Sequence, residues 1–237
     1  MELIDQIYLG DSLELMKQIP DKSIDLILTD IPYLYSEKMP SKNSSFYSKV
    51  MTTRTDLQEA QIDCGVDISW LDDACRIMKN INIYIWMSKF QIPQYLDYFV
   101  KKDCSFEILV WIKPNAMPLY SNKYCSDKEY CLYFRKGGYC QPKNKHNAAT
   151  YFLRDINVAD KKDIGHPTCK PLDITKIMIE NSSHEGDLVF DPFLGSGTTA
   201  VAAYRMKRKY LAIEKNEKFY NMALQRISDE KKILELF

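Results

Sequence analysis

Apolar and polar positions follow two rhythms along the chain. Short apolar runs bounded by turn residues read as strands, and stretches with apolar residues three and four apart read as helices. "IYLGD" (7–11) predicts a short strand, and "SLELMKQI" a helix with Ser12 as its N-cap and Leu13, Leu15, Met16 and Ile19 inward. "SIDLILTD" is apolar at each position from Leu26 to Leu28, the pattern of a central parallel strand covered on both faces. "INIYIWM" (81–87), "FEILVWI" (106–112) and "YCLYFRK" (130–136) predict three more strands. Near the end, "DLVFDPF", a helix from about Thr198 and "KYLAIE" form a β-α-β unit. A last helix from about Asn216 carries Tyr220, Ala223 and Ile227 on one face.

This alternation predicts an α/β fold: a mostly parallel, Rossmann-like sheet with helices on both faces, formed by residues 1–237 as one domain. Residues 34–66 and 137–165 break the rhythm. They are rich in polar residues without a clear period and read as functional loops.

Composition changes this picture little. The 237 residues are 46% apolar and 27% charged, as in an ordinary globular protein. No apolar run approaches the length of a membrane span, and "MELIDQIYLG" lacks the layout of a signal peptide, so a cytoplasmic protein without membrane contact is expected. The seven cysteines have no C-x-x-C pair and the three histidines no metal-ligand spacing, so no metal is expected. The net charge of zero argues by itself against a nucleic-acid partner, but it conceals local fields. Lys42, Lys49 and Arg54 lie in a stretch free of acids beside Phe46 and Tyr47. Arg135, Lys143, Lys145 and Arg154 lie in another, interleaved with Tyr139, Tyr151 and Phe152.

Two stretches carry chemistry. In "DPFLGSGTTA" (191–200), Gly195 and Gly197 let the backbone turn sharply between a strand and a helix and approach a ligand. Glu214 ends the following strand, where an acid commonly holds ribose hydroxyls. Ala200 stands where a dinucleotide loop would carry its third glycine, which favours S-adenosylmethionine over a pyrophosphate cofactor. A glycine turn with Glu214 as a surface charge is the plainer alternative. After Glu214 there is a helix but no strand to approach an adenine edge. A suitable one, ending in Gly10-Asp11-Ser12, stands at the N-terminus, and the order implies a circular permutation in which Asp11 meets the cofactor adenine amine. The second stretch is "TDIPY", which puts Asp30 and Tyr33 at a strand's carboxyl end, where open α/β sheets bind ligands.

Together these pieces resemble the permuted, β-class amino-methyltransferases of DNA. "TDIPY" resembles the family's D-P-P-Y, "HPTCKP" (166–171) its H-P-T-Q-K-P, and "FLGSGTT" its F-x-G-S-G-T-T. "EILVWIKPN" and "DKEYCLYFRKG" resemble family strands. Ile31 and Cys169 depart from the pattern. The resemblance implies S-adenosylmethionine held by Asp11, Ser12, Asp30, His166, Thr168, Lys170, Asp191, Phe193, Gly195, Ser196, Gly197, Thr198 and Glu214. It places the target base at Asp30, Ile31, Pro32 and Tyr33.

The chemistry suits those residue types. An adenine amine is a poor nucleophile because its lone pair is delocalised into the ring. Acceptors on its two N–H groups, the Asp30 carboxylate and the residue 31 carbonyl, would localise it, and a carbonyl does not require proline. Asp30 would also stabilise the positive charge developing on nitrogen. Alignment supplies further acceleration. The base must leave the duplex, and Tyr33 would return stacking worth about 1–3 kcal/mol, while Pro32 stiffens the turn. The sequence has no Pro-Cys pair, as cytosine-C5 chemistry would require.

The implied partners are double-stranded DNA, a second copy of the chain and a cognate restriction endonuclease on a separate chain. Asp30 favours adenine N6 over cytosine N4, whose enzymes more often carry Ser there. A catalytically silent protein binding cofactor and DNA, and a methyltransferase for protein glutamine or RNA, are the other readings; the latter would lack "HPTCKP".

Overall fold

A computed structural model of the chain describes residues 1–34, 65–118, 122, 124–156 and 169–235. The elements run β1 (Gln6–Leu9), α1 (Ser12–Leu15) with a following 3-10 turn (Met16–Gln18), β2 (Leu26–Asp30), α2 (Trp70–Ile77), β3 (Ile81–Met87), α3 (Ile92–Val100), β4 (Ser105–Ile112) and β5 (Lys128–Lys136). After them come β6 (Tyr151–Leu153), α4 (Leu172–Ser182), β7 (Leu188–Asp191), α5 (Thr198–Arg205), β8 (Lys209–Glu214) and α6 (Glu217–Glu235).

Among the described residues, eight strands form one sheet in the order β1-β8-β7-β2-β3-β5-β4-β6. The first five in that order are mutually parallel. β5 enters antiparallel between β3 and β4, and β6 extends the edge parallel to β4. The N-terminal strand thus lies against the C-terminal one: Gln6 to Leu9 register with Leu211 to Glu214, and the Gly10 amide donates to the Glu214 carbonyl at 2.9 Å. This is the sheet expected of the permuted order.

Alternation along β2 shows why its run is apolar throughout. Leu26 and Leu28 face a core shared with Met178, Val201 and Ala223 of α4, α5 and α6. Ile27 faces the opposite core, with Trp70, Ile77 and Phe99 of α2 and α3. Both layers are dry, with Leu26 and Ile27 at 0% exposure.

Two local expectations are corrected. The N-cap of α1 is Asp11, whose carboxylate accepts from the Leu13 amide at 2.9 Å. Ser12 is buried instead, and its hydroxyl donates to the Pro192 carbonyl, tying α1 to the loop after β7. The stretch 137–165, read as loop, contains β6; only Phe152 of its three residues is buried, so no periodicity announces it. No helix among the described residues is long and apolar enough to cross a membrane.

Candidate active site at the carboxyl ends of the strands

The loops that follow β1, β2, β7 and β8 open at the same end of the sheet, because these strands are parallel. They border one cavity of about 710 Å³, whose wall includes Asp11, Asp30, Tyr33, Lys170, Gly195 and Glu214. That size suits a small-molecule ligand. The acid of "TDIPY" and the glycine turn, 165 positions apart in the chain, therefore share one cleft.

The glycine turn is built from its carboxylates. Asp191 ends β7 in the buried core of the sheet, where its Oδ1 accepts from the Thr29 hydroxyl at 2.7 Å and the Phe193 amide at 3.0 Å. Burial pushes its carboxyl up to about 7. Gly195 has φ +57°, a conformation that favours glycine. Its amide donates to Glu214 Oε2 at 2.7 Å, while Glu214 Oε1 accepts from the Asn216 amide at 2.8 Å. Burial raises the Glu214 carboxyl above its ordinary value against these backbone donors. Glu214 is thus a buried strut of the loop, not a surface charge. Asp11 Oδ2 pairs with Lys215 at 3.0 Å, and this contact lowers its carboxyl. Phe193 lines the cavity and packs edge-on to Trp70 at 5.4 Å. Arg226 of α6 donates to the Ser196 carbonyl, to the Ser196 hydroxyl at 3.2 Å and to the Thr198 hydroxyl at 3.3 Å.

Gly197 packs against α6. It is not on the cavity wall. At φ +88°, a Cβ added there would stand 3.0 Å from the Ala223 Cβ. It is the point where the turn meets α6, and close packing there requires glycine.

At the other side of the cavity four charges stand in a row. Lys170 Nζ lies 2.5 Å from Asp30 Oδ2 and 3.1 Å from Glu129 Oε2, and Lys113 Nζ lies 3.1 Å from Glu129 Oε1. The Tyr33 hydroxyl donates to Glu129 Oε2 at 3.3 Å. Asp30 Oδ1 is buried and makes no hydrogen bond among the described residues. Burial pushes the Asp30 carboxyl up, with Lys170 opposing. Burial acts likewise on Glu129, but Lys170 and Lys113 outweigh it and hold that carboxyl at about 2. Lys170, expected at the cofactor, pairs here with the acid of "TDIPY".

Two further residues escape a reading of the sequence. Glu129 lies in "DKEYCLYFRKG", where an acid at the head of an otherwise apolar strand is the available signal. Gln91 is fully buried. Its Nε2 donates to the Pro32 carbonyl at 3.0 Å, and its Oε1 accepts from the Leu34 amide at 3.2 Å and the Ser88 hydroxyl at 2.9 Å. One amide therefore clamps the backbone on both sides of Tyr33. Nothing local in the sequence marks it. The Ile31 side chain is also buried, 2% exposed, and belongs to the core beneath α2.

The family model described as DNA methylase, of the N6/N4 type, matches residues 24–225, most of the chain. The chain belongs to this family of DNA methylases. The type II methyltransferase M2.MboI of Moraxella bovis is 28% identical over 97% of this chain and 89% of its own length. The type II methyltransferase M.HinfI of Haemophilus influenzae is 28% identical over 97% of this chain and 70% of its own. Among solved structures, the M1.HpyAVI–SAM complex aligns with TM-score 0.65 at 23% identity, over 93% of this chain and 98% of that one. The PvuII DNA methyltransferase, cytosine-N4-specific, aligns with TM-score 0.68 at 19% identity, over 98% and 90%.

The basic residues expected to meet DNA separate in the methylase fold. Arg154 follows β6 at the Asp30 end of the sheet, where its amide bonds the Ile112 carbonyl at 3.1 Å and its guanidinium pairs with Asp173. Arg135 lies at the opposite end, since β5 is antiparallel and places it beside Asn82 at the start of β3. Lys143 pairs with Glu180 at 2.6 Å near the far end of α4, and Lys145 belongs to the same turn. Strand direction sets Arg135 apart from the cavity, and Lys143 and Lys145 sit beside the last turn of α4. Lys42, Lys49, Arg54, His166 and Thr168 lie outside the described residues.

Proposed function

We propose that this methylase transfers a methyl group from S-adenosylmethionine to the exocyclic N6 of adenine in double-stranded DNA, after the base has been extruded from the helix. The observation that carries the reading is the shared cavity, with Asp30 and Tyr33 on one wall and the Gly195–Glu214 turn on another. The residues present fit that cofactor. Glu214 and Asp11 offer carboxylates to hydroxyl and amine groups, Gly195 lets the backbone come close, and the Phe193 ring borders an apolar face. When bound, S-adenosylmethionine supplies an electrophilic methyl on a sulfonium centre.

The chain's own residues do the rest. Asp30 accepts from the target amine and stabilises the charge that develops on nitrogen. Tyr33, fixed by Gln91 through Pro32 and Leu34, offers its ring to the extruded base. Ile31 supplies its carbonyl as second acceptor, while its side chain fills the core. Acid at position 30 favours adenine. Cytosine N4 is the second reading, favoured by the fold likeness to a cytosine-N4-specific enzyme. The type II designation of the relatives supports a cognate endonuclease on a separate chain. A pair of copies is supported by the exposed Tyr151 and Leu153 on the edge strand.

The test is incubation with labelled cofactor and duplex DNA, then digestion to nucleosides. N6-methyladenine is the expected product. N4-methylcytosine would replace the reading by the second, and cofactor and DNA binding without transfer would mark a silent protein.

A further inference from the structure

Lys170 occupies the position that the proposed reaction assigns to the target amine. Its Nζ touches Asp30 at 2.5 Å and stands 5.1 Å from the centroid of the Tyr33 ring and 5.7 Å from that of Trp86. The ammonium thus covers both the carboxylate and the aromatic face that a base would need. Asp30 Oδ1 is buried, so an amine arriving from the cavity meets Oδ2 and has to take over that contact. In a buried site, an ammonium deprived of its carboxylate is strongly unfavourable.

Glu129 meets this difficulty. Its Oε2 is already 3.1 Å from Lys170 Nζ, so a small displacement exchanges one carboxylate for the other. Glu129 is itself fixed, by Lys113 at 3.1 Å and by the Tyr33 hydroxyl at 3.3 Å. The row Asp30, Lys170, Glu129 and Lys113 balances two negative with two positive charges before and after the exchange.

We propose that Glu129 is a positioning residue that receives the Lys170 ammonium from Asp30 when the target amine enters. The proposal rests on the amine-methylation reading. No covalent bond changes in the exchange and no proton moves: Lys170 remains an ammonium, and Asp30 passes from one N–H donor to another. Because Tyr33 donates to the same Glu129 oxygen, the exchange also reports the arrival of a cation at the residue that holds the stacking ring. Base entry and ring position are coupled through one carboxylate.

A merely structural Glu129 would serve only to balance charge. The experiment separates the two. E129Q, the charge-balanced pair E129Q/K113M and the conservative E129D are compared with wild type in steady-state methyl transfer to duplex DNA. Calorimetric binding of S-adenosylmethionine and thermal unfolding are measured alongside. The exchange requires at least a ten-fold fall in kcat/KM for DNA in both E129Q and E129Q/K113M, with cofactor Kd within two-fold of wild type. E129D, which keeps a carboxylate, should recover a substantial part of the loss. Full activity in E129Q overturns the proposal, and so does recovery in E129Q/K113M, which would leave charge balance as the whole role. A wild-type protein that transfers no methyl overturns the methylation reading and the exchange with it. An active wild type with an indifferent E129Q overturns the exchange alone.

Discussion

The Gly195 amide donates to the Glu214 carboxylate at 2.7 Å, and this bond fixes the turn after β7 to the end of β8. The other carboxylate oxygen holds the Asn216 amide. Glu214→Gln keeps the shape but offers only one acceptor oxygen, so one backbone donor loses its partner. A buried donor left in that way costs about 1–3 kcal/mol. Urea denaturation should show a loss of that order, and calorimetry a weakening of S-adenosylmethionine binding of about ten-fold, the equivalent of roughly 1.4 kcal/mol.

Asp30→Asn is expected to reduce methyl transfer by about two to three orders of magnitude, as when one stabiliser of transition-state charge is removed. Its side chain retains the volume of the original, so S-adenosylmethionine should still bind. Single-turnover transfer with labelled cofactor checks the first expectation and equilibrium binding the second. Near wild-type turnover would remove Asp30 from the mechanism.

Gln91→Met would leave the Pro32 carbonyl and the Leu34 amide without their clamp. The fold should lose about 1–3 kcal/mol for a group left unpaired. The turn bearing Tyr33 should lose its fixed position as well. A fall in kcat with little change in cofactor Kd is the expected pattern, read from steady-state kinetics beside calorimetry. A stability loss with unchanged kcat would confine Gln91 to the fold.

Asp191 makes stability depend on pH. Its carboxyl is raised from 3.8 to about 7 by burial, so the folded state holds this proton over a range in which the unfolded chain releases it. The resulting stabilisation is complete below about pH 3.8 and is lost as pH rises through about 7. Asp191→Asn cannot lose a proton, and its Oδ1 can still accept from Thr29 and Phe193. Unfolding at a series of pH values should show wild type declining relative to the variant from about pH 4 to about pH 7, with the gap constant above that. Parallel curves would contradict the burial of an ionisable group there.

The polarity pattern made most of the sheet legible. β2, β3, β7 and β8 are short, apolar on both faces and separated by helical stretches, so their parallel pairing follows from burial alone. β6 stayed hidden because it is three residues long and only Phe152 faces the core. At the site, Asp30, Gly195 and Glu214 were visible because strand ends and glycines have fixed local meanings. Gly197 was visible too, but its packing against Ala223 was not, because a glycine needed for close packing looks the same as one needed for a ligand. Glu129 and Gln91 gave little or no local sign, since each acts through a partner that only folding supplies.

The sequence by itself determined the strands other than β6, the glycine turn, the strand-end acid and the permuted order, because these depend on local backbone chemistry and on which side chains avoid water. Tertiary structure decided which charges meet. The antiparallel course of β5 sends Arg135 to one end of the sheet and Glu129 to the other, where Lys170 joins Glu129 to Asp30. Charge pairing is set by distance in space, and strand direction, which no single segment encodes, sets that distance.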